Sequence, residues 1–158
     1  MYRILFVCHG NICRSPMAEF VFADMLKKRG ITGVLAASAA TSTEEIGNPV
    51  RYGTAAVLRR LGIDFSAKRA RQMTRGDAAE YDLLIGMDGA NIRNMTRIAG
   101  EKYAGKFRLL LDFTHRPGNI ADPWYTGEFE TTYRDISEGC EGLIDWLYSE
   151  RIICVLLW

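Results

Sequence analysis

Apolar residues along this chain alternate between short continuous runs and helically spaced stripes. Residues 2–8 form a nearly continuous apolar run, which is typical of a strand buried on both faces of a sheet. After a short loop, Ser15 and Pro16 have the chemistry of a helix start, and Gly30 has that of a helix end. The pattern therefore predicts a strand over 2–8 and a helix over 16–29.

The same alternation continues to the end of the chain. The further predicted elements are strands over 34–40, 81–87 and 107–111 and helices over 50–61 and 91–99. Gly62 ends the helix over 50–61, and a polar connection leads from it to the strand over 81–87. A last helix is predicted from one apolar face, formed by Tyr133, Ile136, Cys140, Leu143, Ile144 and Leu147. Strands that alternate with helices favour an α/β fold with a parallel sheet, whose ligands bind beyond the carboxyl ends of the strands.

Composition narrows the class of protein. The 158 residues are 48% hydrophobic and 25% charged, which fits a single globular domain over 1–158. Twenty basic and nineteen acidic side chains leave a net charge of +1, so no general field attracts nucleic acid or a membrane surface. The apolar run after Met1 is too short for a signal peptide, and no other segment approaches the length of a membrane span. We expect a cytoplasmic protein without nucleic-acid or membrane partners.

The chain has four cysteines: Cys8, Cys13, Cys140 and Cys154. They lack both C-x-x-C spacing and the density of a disulfide scaffold, which favours a reducing compartment. With two histidines, His9 and His115, and no H-E-x-x-H motif, we expect neither a metal nor another cofactor. The last two cysteines are expected to pack in a core or an interface, and the apolar tail over 152–158 leaves core packing and an oligomer contact open.

The segment between the first strand and the first helix carries the candidate chemistry. It reads Cys8-His9-Gly10-Asn11-Ile12-Cys13-Arg14-Ser15, with five residues between a cysteine and an arginine. Such a loop can curl so that its backbone N–H groups converge on one anion, at the positive end of the helix dipole. Arg14 adds a planar fork of donors that matches two phosphate oxygens, and Gly10 is expected to help the chain turn. The predicted phosphate-binding residues are His9, Gly10, Asn11, Ile12, Cys13, Arg14 and Ser15.

Cys8 is the predicted nucleophile of this loop. The converging N–H groups, Arg14 and the Ser15 hydroxyl would all favour its thiolate, which is the form that attacks well. Phosphoryl transfer to the sulfur splits hydrolysis into two displacements, and each needs proton transfer on the oxygen side. The candidate for that transfer is Asp122, in the loop sequence A-D-P-W-Y, which would protonate a leaving phenolate and later deprotonate the attacking water.

Simpler interpretations compete with these roles. A cysteine that ends a buried strand is usually a small hydrophobic residue, and Asp-Pro sequences favour ordinary turns. The position of Cys8 and Arg14 between a strand and a helix start favours the catalytic interpretation. For Cys13 two roles stay open: packing, and a reversible disulfide with Cys8 that would shield the nucleophile from further oxidation.

These motifs resemble the low-molecular-weight protein tyrosine phosphatases over nearly the whole chain. Residues 7–19 are similar to that family's phosphate loop and helix start, and residues 122–125 are similar to its acid loop. Residues 70–72 and 87–88 resemble further landmarks of the family. The resemblance implies a three-layer α/β/α fold with a four-stranded parallel sheet in the flavodoxin-like order 2-1-3-4 and a phosphate loop after the first strand.

The resemblance also implies roles and partners. Cys8 would be the nucleophile, Arg14 the phosphate clamp and Asp122 the general acid and base. Asn11 would hold the shape of the loop, and Ser15 would hydrogen-bond the sulfur. Substrates would be phosphotyrosine-containing proteins or small aryl phosphates, with inorganic phosphate as the product. We expect a monomer or a weak dimer.

Some positions depart from the family pattern. The predicted substrate wall consists of Ile12, Glu44, Trp124 and Tyr125. Relatives often have an aromatic residue near Glu44, and its carboxylate is expected to repel acidic flanks of a substrate. Lys68 stands where many relatives have a histidine that supports the phosphate loop, so the hydrogen-bond network behind the loop is expected to differ.

Three other functions compete with that of a tyrosine phosphatase. An arsenate reductase of the same fold needs relay cysteines, and residues 72–100 contain none. A protein-arginine phosphatase of this fold tends to have threonine at the position of Ile12, and isoleucine favours ester cleavage because it would crowd a guanidinium. A non-catalytic phosphate-binding regulatory module would need neither the thiolate of Cys8 nor the acid of Asp122.

Overall fold

A four-stranded parallel sheet lies at the centre of the structure, a computed structural model that describes residues 1–154. Its strands are β1 (Tyr2–Cys8), β2 (Val34–Ala40), β3 (Leu83–Gly86) and β4 (Phe107–Leu109). All three pairings are parallel, and the strand order is β2-β1-β3-β4. The predicted α/β class, the parallel sheet and the order 2-1-3-4 are therefore confirmed.

Helices connect the strands and cover the sheet. They are α1 (Arg14–Lys28), α2 (Tyr52–Arg60), α3 (Arg75–Glu80), α4 (Gly89–Ala99), α5 (Pro123–Thr126) and α6 (Phe129–Ser149). Two short 3-10 turns lie on either side of β4, over Glu101–Lys106 and Leu110–Phe113. Within the described residues, no helix combines the length and the apolar character that crossing a membrane requires.

Alternate side chains of β1 enter two separate hydrophobic cores. Ile4 and Phe6 are fully buried in a core that they share with α1, α2 and α6. Leu5 and Val7 are fully buried in a second core, which they share with α3 and α4. Because both faces of the strand are covered, the sequence of β1 lacks the polar alternation of a half-exposed strand. The result is the predicted three-layer arrangement.

Two glycines end helices as the sequence predicts. Gly30 after α1 and Gly62 after α2 have φ angles of +65° and +71°, a left-handed conformation that costs glycine little. In both places the N–H group of the next residue donates a hydrogen bond back to the helix. Ile31 donates to the Leu26 carbonyl, and Ile63 donates to the Leu58 carbonyl. These hydrogen bonds end α1 and α2 at their carboxyl ends, and the chain turns away from each helix there.

Several predicted boundaries are wrong, each for a local reason. Helix α1 begins at Arg14 rather than at residue 16, because the end of the loop already has helical geometry. The predicted strands over 81–87 and 107–111 are shorter, and the second gives way to a 3-10 turn at Leu110. The polar connection before β3 contains α3, whose six residues are too few and too polar to show an apolar stripe.

The chain after α6 folds back on that helix. Arg151 has a φ of +59°, and the N–H groups of Ile152 and Ile153 both reach the Leu147 carbonyl. Ile153 is buried by this reversal, which leaves Cys154 exposed. Of the two roles predicted for Cys154, core packing is therefore wrong and interface packing stays a prediction. Cys140 is fully buried, as predicted. The rest of the apolar tail, residues 155–158, lies outside the described residues.

Candidate active site

The loop between β1 and α1, residues 8–15, wraps around the sulfur of Cys8. The backbone N–H groups of Asn11 and Ser15 point at Cys8 Sγ with N–S distances of 3.3 and 3.4 Å. Ser15 Oγ lies 3.0 Å from the same sulfur. Three hydrogen-bonding groups thus converge on one atom at the amino end of α1, where a negative charge is stabilised by hydrogen bonds and by the helix dipole.

Asn11 holds the loop in its curled shape. It is buried and has a left-handed φ of +58°, which asparagine tolerates better than most residues. Its Nδ2 donates to Ser15 Oγ at 2.8 Å and to Ser38 Oγ at 2.9 Å, and its Oδ1 accepts from the Arg71 N–H at 3.2 Å. The left-handed residue of the loop is therefore Asn11 and not Gly10, and the side-chain hydrogen bonds of Asn11 offset its strain.

Arg14 has a buried guanidinium with one occupied edge and one open edge. Nη1 donates to Asp88 Oδ2 at 2.7 Å and to the Ile120 carbonyl at 2.9 Å. Nη2 makes a longer contact of 3.4 Å with Asp122 Oδ2, and Nε has no partner among residues 1–154. Burial opposes its charge, but the negative charges of Cys8, Asp88 and Asp122 outweigh burial and raise the pKa of Arg14. This open edge, formed by Nε and Nη2, can therefore donate hydrogen bonds to two oxygens of an anion.

Asp122 faces Arg14 across the site. It caps the short helix α5, because its Oδ1 accepts the Trp124 N–H at 3.0 Å, and its Oδ2 is left pointing towards Arg14. The predicted loop over 122–125 is thus a single helical turn that begins at Pro123. This cap fixes the orientation of the carboxylate, with Oδ1 held by the backbone and Oδ2 facing the cavity and Arg14.

A cavity of about 110 Å³ opens above the sulfur. Its lining includes all four residues of the predicted substrate wall and also Glu45, which was not predicted. The complete lining is Cys8, His9, Gly10, Ile12, Cys13, Arg14, Glu44, Glu45, Asp122, Trp124 and Tyr125. Asn11 and Ser15 do not line it, because both are buried behind the loop. The cavity therefore brings the candidate nucleophile, the arginine and the carboxylate to one space.

The wall beside the first half of the loop is acidic. Glu44 Oε2 lies 3.0 Å from His9 Nε2, and both side chains are about half exposed or more. Glu45 packs over Gly10, where an added Cβ would lie 3.3 Å from Glu45 Cγ. A side chain at position 10 would thus be in tight contact with Glu45.

Cys13 is the second thiol of the loop. It is buried, and that burial, with the nearby negative charges of Cys8 and Asp122, raises its pKa to about 12. It therefore stays a thiol at neutral pH and does not compete with Cys8 as a nucleophile. Its backbone carbonyl accepts the Thr54 hydroxyl at 3.1 Å, which joins the loop to α2. A disulfide with Cys8 stays a prediction.

A charged network supports the loop from behind. Ser38 Oγ, which accepts from Asn11, donates to Glu19 Oε1 at 2.5 Å. Lys68 Nζ donates to the Ser38 carbonyl at 2.9 Å and lies 3.6 Å from Glu19 Oε1. Burial lowers the pKa of Lys68, although the charge of Glu19 opposes this effect. The lysine thus reaches the loop through Ser38 and neutralises a largely buried glutamate.

Replacing Lys68 with methionine should destabilise the protein by about 2–4 kcal/mol, because Glu19 would keep a largely buried charge without its cationic partner. Urea unfolding measures the loss. Lys68→Arg keeps the charge and should cost less, and the double variant Lys68→Met/Glu19→Gln should recover part of the loss. A single Lys68→Met variant with wild-type stability would contradict this account.

Sequence reasoning missed the carboxylate that anchors Arg14. Asp88 follows β3, the strand beside β1, and it caps α4 by accepting the Asn91 N–H at 2.8 Å. An Asp-x-x-Asn capping pattern at the carboxyl end of a central strand was the available signal. Its contact with Arg14 joins residues 74 positions apart, which local patterns do not reveal.

The chain is similar to a family of known proteins over almost all of its length. The family model "Low molecular weight phosphotyrosine protein phosphatase" matches residues 3–152. Low molecular weight protein-tyrosine-phosphatase YfkJ of Bacillus subtilis (strain 168) is 42% identical over 154 residues, which cover 96% of this chain and 99% of that protein. Low molecular weight protein-tyrosine-phosphatase PtpA of Staphylococcus haemolyticus (strain JCSC1435) is 35% identical over 151 residues, covering 95% and 96%.

Solved structures agree with these matches. The crystal structure of YfkJ from Bacillus subtilis superposes with a TM-score of 0.92 at 41% identity, covering 96% of this chain and 97% of that chain. The structure of SP-PTP, a low molecular weight protein tyrosine phosphatase from Streptococcus pyogenes, gives a TM-score of 0.83 at 37% identity, covering 98% and 95%.

Proposed function

This chain belongs to the low molecular weight phosphotyrosine protein phosphatase family and is a cysteine-dependent protein-tyrosine phosphatase, and we propose that Cys8, Arg14 and Asp122 perform its chemistry. The observation that carries the proposal is the convergence of three hydrogen-bonding groups on Cys8 Sγ beside the open edge of Arg14. Such a site favours an anionic sulfur and an anionic substrate at once.

In the first step the Cys8 thiolate attacks phosphorus, and the bond between phosphorus and the tyrosine oxygen breaks. Asp122 gives its proton to that oxygen, so phenol leaves and the phosphoryl group stays on sulfur. Arg14 and the loop N–H groups bind the equatorial oxygens, where charge is spread in the transition state.

In the second step water attacks the phosphocysteine. Asp122, now a carboxylate, takes a proton from the water, the S–P bond breaks, and inorganic phosphate leaves. Cys8 is returned as a thiolate, so the cycle needs no reductant and no further reactant.

A protein-arginine phosphatase is the alternative within the same fold. Two features favour tyrosine. Ile12 lines the cavity with a branched apolar side chain, which accepts a flat ring better than a guanidinium. The similar proteins described above are named protein-tyrosine-phosphatases. A non-catalytic phosphate-binding module is disfavoured, because binding alone would not need Asp122 opposite Arg14.

The test compares an aryl phosphate with a phosphoarginine peptide in excess chelator, with the wild-type protein. We expect chelator-resistant hydrolysis of the aryl phosphate, much slower release from phosphoarginine, and a phosphorylated Cys8 peptide in the mass spectrum after rapid quenching. Faster release from phosphoarginine would assign the chain to the other branch. Phosphate binding without turnover of either substrate would support the regulatory module.

Asp122→Asn should reduce kcat by about 10²–10³-fold on an alkyl-substituted phenyl phosphate and much less on a dinitrophenyl phosphate, whose leaving group needs no proton. The amide oxygen can still accept the Trp124 N–H, so the cap of α5 is kept. Steady-state kinetics with a series of leaving groups measures the effect. Asp112→Asn, at an exposed position, is the matched control. An equal loss on both substrates would exclude Asp122 as the general acid.

We also propose that residues 1–158 form one phosphatase domain, and that the protein acts in the cytoplasm as a monomer or weak dimer. The family model over 3–152 and the near-neutral charge support these proposals. Analytical ultracentrifugation over a range of concentrations tests the oligomeric state.

A further inference from the structure

Arg51 lies beside the mouth of the cavity, in contact with two exposed aromatic rings. Its Cζ is 3.8 Å from the ring centroid of Trp124, which lines the cavity, and 4.8 Å from that of Tyr52. Its backbone N–H donates to the Ile12 carbonyl at 2.9 Å, which ties the residue to the loop. Arg51 is therefore held in place from two sides, although it is the residue just before α2.

The guanidinium of Arg51 is free to bind an anion. Among residues 1–154 it makes no ion pair and no side-chain hydrogen bond, whereas Arg60 pairs with Glu130 and Arg116 with Asp135. Stacking uses the faces of a guanidinium and leaves its N–H groups pointing outwards in the plane. Since the rings hold the side chain already, binding a carboxylate costs less rotamer entropy than for a free arginine.

The mouth is electrically asymmetric. Glu44 and Glu45 contact the first half of the loop, at His9 and Gly10. Arg51 contacts the second half, and its positive charge opposes the rise in the pKa of Cys13. A substrate segment that crosses the mouth thus meets carboxylates at one end of the loop and a cation at the other.

We propose that Arg51 is a specificity-determining residue that binds the carboxylate of an Asp or Glu next to the phosphotyrosine. The preferred substrates are then phosphotyrosine segments with an acidic neighbour on the Arg51 side. The repulsion by Glu44 acts on the opposite side only. This inference rests on the proposed function and extends it to the substrate residues on either side of the phosphotyrosine.

The experiment uses phosphotyrosine peptides that differ in one residue, Glu or Gln, placed directly before or directly after the phosphotyrosine. The readout is the ratio of kcat/KM for the Glu peptide to that for the Gln peptide, so any general effect of a variant on catalysis cancels. At the preferred position the wild-type ratio should be about three to five, as for a well-ordered exposed ion pair. The preference should appear as a lower KM for the Glu peptide than for the Gln peptide. It should disappear in 1 M salt, where the Debye length is about 3 Å.

Variants at position 51 then assign the preference to this residue. Arg51→Gln should bring the ratio to about one, Arg51→Glu should invert it, and Arg51→Lys should keep part of it, as expected for a single exposed ion pair. Arg59→Gln is the matched control, because Arg59 lies on α2, is exposed and stacks on Phe65 at 5.3 Å. Its ratio should equal that of the wild type.

Three results would overturn the inference. A wild-type ratio near one at both positions, with normal hydrolysis of a small aryl phosphate, would refute the role of Arg51 and leave the proposed function standing. An equal loss in Arg51→Gln and Arg59→Gln would assign the preference to overall charge. A wild-type protein that hydrolyses no aryl phosphate would overturn the proposed function and this inference together.

Discussion

Cys8→Ser is expected to abolish hydrolysis of aryl phosphates, with a loss in kcat of at least about 10⁴-fold. The groups around the sulfur are two backbone N–H donors and the Ser15 hydroxyl, which stabilise an anion but remove no proton. A thiolate attacks phosphorus without help from a base, whereas a serine hydroxyl would need a general base. Steady-state kinetics at high enzyme concentration, with mass spectrometry for the phosphoenzyme, measures the loss.

The same variant should still bind inorganic phosphate, because the loop N–H groups and the open edge of Arg14 stay in place. Calorimetric titration with phosphate therefore separates lost chemistry from a lost fold. Cys154→Ser is the matched control, since it makes the same replacement at an exposed position. Turnover by Cys8→Ser within about tenfold of the wild type would be incompatible with a phosphocysteine.

Arg14→Lys is expected to lower kcat/KM by about 10³-fold, the range seen when an arginine that stabilises a phosphoryl transition state is lost. An ammonium is a point charge, so it cannot keep the two partners of Nη1, Asp88 and the Ile120 carbonyl, while it also offers a planar edge to phosphate. The loss should fall mainly on kcat, because the transition state has the flat array of oxygens that the guanidinium matches.

Arg116→Lys is the comparison for this prediction. Arg116 pairs with Asp135 and Glu138 on the exposed surface, so the same replacement there should leave the kinetics unchanged. Circular dichroism and urea unfolding show whether Arg14→Lys still folds. A folded Arg14→Lys variant with less than about a tenfold loss would mean that charge alone, without the fork, performs the role of Arg14.

The parts of the fold that the sequence predicted well are those that depend on neighbours in the chain. The apolar run of β1 and the left-handed glycines after α1 and α2 are local features, and their positions follow from side-chain type alone. Helix α3 was missed because its capping box, Thr74 with Asp77, precedes no apolar stripe. The strand after residue 106 was predicted too long, since apolar residues also occupy the 3-10 turn that follows it.

The candidate site likewise has a part that local sequence predicts and a part that depends on distant segments. The spacing of Cys8 and Arg14 lies within one loop, so its anion-binding shape follows from the sequence. The partners that complete it come from distant segments: Asp88, Ser38, Lys68 and Arg51. Their roles depend on which strands are neighbours and on which loops meet, and no periodic pattern encodes that. The sequence predicted that Gly10 would help the chain turn, whereas the left-handed residue is Asn11, and its tertiary contacts favour that conformation.

The position of Asn11 also bears on the order of events during folding. Its side chain bonds Ser38, 27 residues away, and accepts from Arg71, 60 residues away, while Arg14 reaches Asp88 and Asp122, at separations of 74 and 108. Contacts of such high sequence separation form late, because the entropy of closing long loops must be overcome first. The helix after the loop can form early because its hydrogen bonds are local, yet the loop itself takes its shape only once four distant segments have docked. We therefore expect catalytic competence to be among the last properties that the folding chain acquires.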